Sequence, residues 1–347
     1  MISLDYQNLD SQDYQGLEKA IRQGASSSSK IVDTFEKVMS VYLGVHDSDR
    51  VIATNSGTSA LHLALMDAGI KEGDKVALPV LTFVATANVI KYVGAEPIFY
   101  DVHPESWLID YESRPEETNV DVIIPVDLYG NLVQITDCFK NAYQGQLIID
   151  ACESLGARFF DESIMDYVCY SFNGNKIITT GAGGLLVGAG ILTKVLSVQA
   201  KLQNGSHFAV GYNYRMAGLN AALGLSQMRK LDYFLKKKRK FNRIYREQLS
   251  HILKFQEATP GTNPSWWMTA ALWPEGIDIP DLQKRLKAKG IPTRRIFRPL
   301  NQSEPYQDGR SYPVAEMIYD RGLCLPSGTL MRGIDIYKIC QIIKEEI

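Results

Sequence analysis

The chain has 347 residues, enough for about two domains around a sizeable core. Its residues are 45% hydrophobic and 22% charged, which excludes collagen-like, disordered and coiled-coil proteins. The chain has 37 Lys and Arg against 39 Asp and Glu, a net charge of −2 that gives no sign of a nucleic-acid or anionic-membrane partner.

The N-terminus and the cysteines indicate a reducing compartment. The first 15 residues are acidic and amide-rich, unlike a secretory signal. The most apolar stretch, Val76 to Ile90, is too short and too polar to cross a membrane. The 5 cysteines are odd in number and widely spaced, which predicts reduced thiols. We therefore expect a cytoplasmic protein without a membrane partner.

The pattern along the first two-thirds of the chain is typical of βαβ units. Short β-branched runs alternate with helical patterns, which predicts an α/β fold with a mainly parallel sheet. The predicted strands are Lys75 to Leu78, Pro97 to Asp101, Val120 to Pro125, Gln146 to Asp150, Tyr167 to Ser171 and Leu185 to Gly188. The predicted helices between them are Ser59 to Ala68, Val84 to Val93 and Gln134 to Ala142.

The pattern changes to α+β in the last third of the chain. From about Met216 it predicts one long helix that ends in the basic run Lys236 to Lys240, which we interpret as a solvated helix face. Ile291 to Ile296 is a predicted strand and Asp335 to Ile347 a predicted final helix. We therefore predict a large domain over residues 1–245, with an N-terminal helical arm, and a small domain over residues 246–347.

Common catalytic motifs are missing from the sequence. The 5 histidines are scattered without metal-ligand spacing, so we predict no metal site. The sequence has no GxSxG elbow, P-loop or GxGxxG fingerprint. These absences disfavour metal catalysis, hydrolysis and a Rossmann cofactor.

Three other features suit a phosphate-bearing aldehyde. Asn55-Ser56-Gly57-Thr58 begins a predicted helix, and its capping side chains and free N–H groups can hold an anion. Asp150 ends an apolar strand, at the sheet edge where ligands collect. Lys176 lies in a tight, glycine-rich surrounding, where a lysine amine can attack an aldehyde. Taken singly, Lys176 is more typical of a surface lysine and the glycine-rich segment 181–190 of a turn, whereas the position of Asp150 favours a functional role.

Together these features match pyridoxal 5′-phosphate (PLP). Ser56, Gly57 and Thr58 would hold the phosphate through backbone donors and the positive end of a helix, and Ser171 would add a hydroxyl.

The remaining residues would hold the ring of the cofactor. Asp150 would keep the pyridine nitrogen protonated, so that the ring can withdraw electrons. Lys176 would bond the aldehyde carbon and Phe83 would stack on one ring face. Glu153 would lie near the other face or the ring hydroxyl.

Seven ordered blocks resemble one family, the DegT/DnrJ/StrS sugar aminotransferases. The blocks are NSGTSALHLAL (55–65), LPVLTFVATAN (78–88), GAEPIFYDV (94–102), PVDLYG (125–130), IIDACESLGA (148–157), SFNGNKIITTGAGG (171–184) and GYNYRMAGLNAALGLSQ (211–227). The resemblance implies the PLP-dependent transferase fold of aspartate aminotransferase, with a mainly parallel seven-stranded sheet in a large domain and a smaller C-terminal α+β domain.

The resemblance also implies roles and partners. Lys176 would bond the cofactor and then carry a proton between it and the substrate. Asp150 would pair with the ring nitrogen, and Asn213 would reach the cofactor phosphate of the partner subunit in a homodimer. L-Glutamate would donate the amino group to a nucleotide-linked 4-keto-6-deoxy sugar, for bacterial surface polysaccharide such as O-antigen. The block at 171–181 favours a UDP-linked N-acetylated sugar, with a GDP-perosamine-type synthase or a dTDP-sugar C3 aminotransferase as alternatives.

The chain departs from the family pattern at several places. Asp127 stands where histidine is common, and Glu153 where glutamine or histidine is common, so Glu153 could hydrogen-bond instead of stacking. Asn301 ends PLN where PLH is common, and the stretch 189–210 is shorter than usual, which bears on the sugar pocket. Candidate substrate contacts, with packing or surface roles as the alternative, are Arg215, Asn301 and Tyr306.

Two other functions remain open. Some relatives are dehydratases in which histidine replaces the lysine, and Lys176 argues against that function. A regulator without activity is expected to lack Lys176 or Asp150, or to carry a DNA-binding domain, and the sequence shows neither.

Overall fold

The protein is described from a computed structural model that covers residues 2–24, 29–113, 119–135, 143, 145–157, 166–197, 206–207 and 209–347. Residues 136–142 of the predicted helix Gln134 to Ala142 and part of the stretch 189–210 lie outside these residues.

A seven-stranded sheet forms the centre of the larger part of the fold. Its strands are β1 (Val51–Thr54), β2 (Lys75–Pro79), β3 (Glu96–Tyr100), β4 (Val122–Ile123), β5 (Gln146–Asp150), β6 (Tyr167–Ser171) and β7 (Gly184–Val187). They lie in the order β1-β7-β6-β5-β4-β2-β3. The strands from β3 to β6 pair in parallel, and β7 runs antiparallel to both β6 and β1. The predicted mainly parallel sheet is therefore confirmed.

Helices cover the sheet and connect its strands. The described helices are α1 (Ser11–Arg22), α2 (Ser29–Leu43), α3 (Gly57–Asp67), α4 (Ala85–Tyr92), α5 (Ile191–Leu196), α6 (Gly218–Met228), α7 (Leu231–Leu249), α8 (Ile279–Ala288), α9 (Pro313–Arg321) and α10 (Gly333–Glu346). The predicted helices at 59–68 and 84–93 correspond to α3 and α4. Helices α2, α3 and α4 pack on the strands, and their apolar side chains join one core with Val76, Ile98 and Leu186.

A smaller antiparallel sheet follows in the last third of the chain. Its strands are β8 (Lys254–Phe255), β9 (Thr269–Leu272), β10 (Arg294–Arg295) and β11 (Gly322–Leu325), in the order β10-β11-β9-β8. Side chains of α7, α8 and α10 pack with this sheet in a second core. The predicted strand at 291–296 is the shorter β10, and the predicted final helix is α10.

The prediction of one long helix from Met216 is wrong. The chain forms α6 and α7, separated at Arg229 and Lys230, where the backbone N–H groups bond to Ser226 and Gln227 carbonyls three residues back and so tighten into a turn. At this turn the Lys230 amine pairs with Asp10, 3.1 Å away, and with Asp13 at the start of α1. The basic run lies in the middle of α7, which continues to Leu249. Its interpretation as a solvated helix face is wrong for Lys238, which is buried with its amine bonded to the Trp267 carbonyl and the Ser327 hydroxyl.

Helix α7 belongs to both cores. Phe234 and Leu235 pack in the core of the large sheet, whereas Phe241 and Tyr245 pack in the core of the small sheet. The predicted domain boundary near residue 245 stays a prediction, and residue 245 lies inside this helix. In the parts of the chain that the structure describes, each helix is too short or too polar to cross a lipid bilayer.

Candidate active site

A cavity of about 480 Å³ opens where β5, β6 and the start of α3 come together. The predicted site residues in its wall are Ser56, Gly57, Thr58, Phe83, Asp150, Glu153, Ser171 and Lys176. Residues spread over 120 positions of sequence therefore share one cavity, because parallel strands bring their carboxyl ends to the same edge of the sheet.

The first turn of α3 forms one side of this cavity. Ser56 caps the helix, its hydroxyl accepting a hydrogen bond from the Ser59 N–H at 3.1 Å. The first N–H groups of a helix have no intrahelical partner and lie at the positive end of its dipole, which suits an anion. A Cβ atom on Gly57 would lie 2.7 Å from the Cys152 sulfur and 3.0 Å from the Ser171 Cβ. Any larger residue would push this turn away from Cys152 and Ser171, so the position requires glycine.

Strand β1 leads directly into this turn, and sequence analysis missed it. Its four residues are all buried, and Val51 and Ile52 are β-branched. The short apolar run 51–53 was the available signal.

Asp150 lies at the end of β5 with a fixed carboxylate. Its Oδ2 accepts a hydrogen bond from the Thr86 hydroxyl at 2.7 Å, and its Oδ1 accepts one from the Cys152 N–H at 3.1 Å. Thr86 lies on α4, with its hydroxyl 3.3 Å from that of Thr82. These contacts orient an acceptor into the cavity, as a protonated ring nitrogen requires.

The Lys176 amine is held from two sides. Its Nζ lies 3.3 Å from Oε1 of Glu153 and 3.9 Å from the centroid of the Trp267 ring. Only 14% of the lysine side chain and 5% of the Glu153 side chain are exposed. Burial raises the pKa of Glu153, and the charge of Lys176 opposes that shift. The arrangement places a shielded amine beside a carboxylate that can accept its proton in a hydrogen bond.

Glu153 hydrogen-bonds in this structure. Its second oxygen, Oε2, accepts from the Tyr129 N–H at 2.8 Å. Together with the contact to Lys176, this agrees with the hydrogen-bonding alternative to ring stacking, while the predicted place of Glu153 beside the cofactor stays a prediction.

Aromatic residues behind Lys176 were missed by sequence analysis. The Trp267 indole N–H donates to the Asn175 carbonyl at 2.7 Å. The Tyr129 ring stacks with the ring of Trp267 and with that of Phe297, at centroid distances of 6.4 and 5.4 Å. Tyr129 and Trp266 have φ angles of 58° and 49°, which are uncommon for bulky residues and occur often at functional sites. The Trp266-Trp267 pair was a visible but uninterpreted signal, since the chain has only 4 tryptophans.

Phe83 lies at the rim of the cavity. Its side chain is 55% exposed, and its ring centroid lies 5.8 Å from that of Phe297. The predicted stacking on a cofactor ring stays a prediction.

The other predicted residues lie away from this cavity wall. Asn213 is exposed, with its carbonyl accepting from the Asn55 side chain at 3.0 Å, and exposed Arg215 pairs with Thr54 in an isolated bridge. The Asn301 amide donates to the Arg310 carbonyl at 3.0 Å. Tyr306 is buried, and its hydroxyl bonds to Asn88. In the described chain none of the four lines the cavity, and their predicted roles stay predictions.

Asp127, at a departure from the family pattern, is buried behind the site. It accepts hydrogen bonds from the Ser154 hydroxyl at 2.6 Å and from the Val133 N–H at 2.9 Å. Burial, with added repulsion from Asp150 and Glu153, raises the pKa of Asp127 to about 7. This residue acts in the support of the site rather than in its wall.

The donor set of the cavity fits PLP. Ser56, Gly57 and Thr58 line the cavity, so a phosphate there can meet the N–H groups at the start of α3. Asp150 offers an oriented carboxylate and Lys176 a shielded amine. Within the described residues no cluster of three or more His, Cys, Asp or Glu side chains is arranged for a metal ion.

Comparison with known proteins decides the family. The model of the DegT/DnrJ/EryC1/StrS aminotransferase family matches residues 7–344. The chain belongs to this family. Its aminotransferases depend on PLP and act on sugars, so the predicted family, fold class, enzyme class and cofactor are confirmed.

Individual relatives cover most of the chain. GDP-perosamine synthase of Escherichia coli O157:H7 is 32% identical, over 84% of this chain and 84% of that protein. UDP-4-amino-4,6-dideoxy-N-acetyl-beta-L-altrosamine transaminase of Campylobacter jejuni strain 81-176 is 34% identical, over 71% and 69%. The solved PLP form of Spr1654 from Streptococcus pneumoniae has the same fold, with a TM-score of 0.89 at 20% identity over 99% and 98% of the two chains.

Proposed function

We propose that this aminotransferase moves the amino group of L-glutamate to a nucleotide-linked 4-keto-6-deoxy sugar, with a UDP-linked N-acetylated sugar as the favoured acceptor. The observation that carries the transamination is the shielded Lys176 amine, held beside Glu153 in the cavity that also contains Asp150 and the α3 terminus. A surface lysine would have neither the burial nor the converging partners.

Two relatives support the acceptor. The name of the Campylobacter transaminase specifies a UDP-linked 4-amino-4,6-dideoxy N-acetyl sugar, which has the chemistry of the favoured product. The Escherichia GDP-perosamine synthase covers more of the chain at nearly the same identity, and it supports a GDP-linked sugar as the second candidate. Product formation with each nucleotide separates the two.

Different residues of the cavity would bind the phosphate, bind the ring and transfer the proton. The N–H groups at the start of α3, with Ser56 and Ser171, would hold the phosphate, and Asp150 would hold the proton on the ring nitrogen. PLP, when bound, withdraws electrons from the carbon that carries the amino group. Lys176 Nζ would carry the proton to and from that carbon, and the Glu153 carboxylate would hold the resulting ammonium in place.

We also propose a cytoplasmic homodimer in which Asn213 reaches the partner's cofactor phosphate. Its exposure in the single chain supports this role, because the side chain is free to meet a second subunit. The four described cysteines are free thiols, which supports a reducing compartment.

The test follows the absorption spectrum of the PLP-loaded enzyme in two half-reactions. L-Glutamate should convert the bound cofactor from its aldehyde form to its amine form, and one keto-sugar nucleotide should convert it back. Lys176→Ala should slow turnover by about 10²- to 10⁴-fold or more, since it removes the proton carrier. The control Lys91→Ala, at an exposed position, should keep normal rates. If glutamate leaves the wild-type spectrum unchanged, the enzyme is a dehydratase or a regulator instead.

A further inference from the structure

Arg294 is a second cation in the wall of the cavity, and sequence analysis gave it no role. Among the described residues that line the cavity, the cationic side chains are Lys176 and Arg294. The charge of Lys176 faces Glu153 at 3.3 Å, whereas Arg294 approaches from the opposite part of the fold, on β10 of the small sheet. Lys176 is thus paired with Glu153, and Arg294 is a separate cation on another side of the cavity.

The position of Arg294 is fixed by the N-terminal segment. Its Nη2 lies 2.5 Å from Oδ2 of Asp5. The chain beside Asp5 is tied to the small domain, because the Ser3 and Leu4 carbonyls accept hydrogen bonds from Gly328 and Ser327 at 3.0 and 3.2 Å. Asp5 thus holds the guanidinium from one side.

The guanidinium keeps hydrogen-bonding capacity for a ligand. Arginine has five N–H donors, and in the described part of the chain the Asp5 contact is the hydrogen bond formed by those of Arg294. A planar fork with free donors matches a carboxylate, which it can bind through two parallel bonds.

The next residue shows that this placement is specific. Successive side chains of a strand point to opposite faces, and Arg295 turns away from the cavity. Its Nη2 donates to the Tyr319 carbonyl at 2.7 Å, and its guanidinium lies 4.6 Å from the centroid of the Tyr319 ring. Arg295 therefore stabilises the small domain, whereas Arg294 faces the cavity.

The place of each anion in its substrate indicates which one Arg294 meets. The cavity, at about 480 Å³, is of the size of a ligand pocket, and Lys176 marks where the reacting carbon has to lie in it. In a nucleotide-linked 4-keto sugar the diphosphate is attached at C1, across the sugar ring from the reacting carbon, so it lies farther from Lys176. The α-carboxylate of an amino donor is attached to the reacting carbon itself, so it has to lie inside with Lys176.

We infer that Arg294, held by Asp5, binds the α-carboxylate of the amino-acid donor. This inference rests on the proposed transamination, and it adds the residue that selects the donor. It also places donor selection on the small domain and on the N-terminal segment, while the groups that hold the cofactor come from the large sheet and its helices.

The two half-reactions test this assignment separately. In Arg294→Gln, the KM for L-glutamate and the KM for 2-oxoglutarate acting on the amine form should both rise by about 10- to 100-fold, since a charge-assisted pair is lost. The KM for the keto-sugar nucleotide should stay within about twofold, because that substrate brings no α-carboxylate to the reacting carbon. Arg294→Lys should recover part of the loss, and Asp5→Asn should cause a smaller rise.

Arg298→Gln is the matched control, since Arg298 is exposed four residues further on and does not line the cavity. Its KM values should equal those of the wild type. Unchanged glutamate kinetics in a folded, PLP-binding Arg294→Gln enzyme would overturn the assignment while leaving transamination intact. A rise confined to the sugar nucleotide would overturn it too, in favour of diphosphate binding. Wild-type enzyme that fails to react with glutamate would instead remove the proposed function.

Discussion

Trp267 covers one side of the Lys176 amine at the distance of a cation–π contact. Its face lies toward Nζ, and its edge is tied to the lysine loop through the indole N–H and the Asn175 carbonyl. Such contacts stabilise an ammonium by about 2 kcal/mol or more when water is excluded. Trp267 therefore positions Lys176 whenever its amine is free and charged.

Two substitutions of Trp267 distinguish the contribution of its ring face from that of its indole N–H. In Trp267→Leu the ammonium loses the ring, so we expect the single-turnover rate with glutamate to fall about 10- to 30-fold. Trp267→Phe should keep most of the rate, because phenylalanine retains a ring face and loses only the bond to Asn175. PLP affinity and thermal unfolding of both variants serve as controls. Equal rates in the two variants would assign the effect to the N–H and to packing.

Lys238 is a buried lysine immediately behind Trp267. Its amine donates to the Trp267 carbonyl at 2.7 Å and to the Ser327 hydroxyl at 3.0 Å, and no carboxylate of the described chain forms a salt bridge with it. Burial lowers the pKa of Lys238 to about 7. The unfolded chain protonates the same lysine up to about pH 10.4.

This difference predicts how stability depends on pH. Between about pH 7 and pH 10 the unfolded state binds one more proton at Lys238 than the folded state does. The free energy of unfolding should therefore rise with pH by about 1.4 kcal/mol per unit relative to Lys238→Met, and this gain should disappear as the pH falls to 7. Denaturant unfolding at pH 7, 8 and 9 measures it. If the free energy of unfolding changes equally with pH in the wild type and in Lys238→Met, Lys238 is charged in the folded state.

The start of α3 depends on a glycine. In Gly57→Ala the new methyl group would press on Cys152 and Ser171, so the helix would have to move away from the cavity. Overpacking of this kind costs about 1 to 3 kcal/mol, and we expect PLP affinity to fall about tenfold or more. Affinity for pyridoxal, which lacks the phosphate, should change less.

Titration of the cofactor absorbance measures both affinities. Gly16→Ala is the matched control, because a Cβ there meets only the Ser226 Cβ at an ordinary 3.7 Å. Equal losses of PLP and pyridoxal binding in Gly57→Ala would mean that the displaced element is the ring site and not the phosphate cradle.

Elements were predictable from sequence where local pattern decides them. Apolar strands such as β5, with a polar residue at the carboxyl end, locate Asp150 without a structure. The division between α6 and α7 was not predictable, because it depends on a turn whose lysine pairs with Asp10 and Asp13, more than 200 positions away. Trp267 and Arg294 were missed for the same reason, since their roles come from tertiary approach to Lys176 and Asp5.

A site shared between two subunits predicts how dimers of two different variants behave. If Asn213 serves the partner's cofactor, a dimer of one Lys176→Ala subunit and one Asn213→Ala subunit has one intact site. An equal mixture reassociated at random should then regain about a quarter of wild-type activity, as half of the dimers are mixed and each has one of two sites.

The parent variants, each incubated alone, give the baseline for this mixture. Sedimentation of the wild-type enzyme establishes the dimer first. Activity no higher than the mean of the two parents would place Asn213 within its own subunit's site or outside both sites.

The double membership of α7 has a consequence for how the protein can be divided. Phe241, Ile244 and Tyr245 pack in the small core but precede residue 246. A recombinant fragment that begins at residue 246 would lack these three side chains, so the core would have a gap and its remaining apolar side chains would be exposed to water. The same helix, extended back to residue 231, would carry Phe234 and Leu235 out of the large core. Because the single helix α7 supplies side chains to both cores, we expect neither part of the chain to keep its core intact when it is produced without the other.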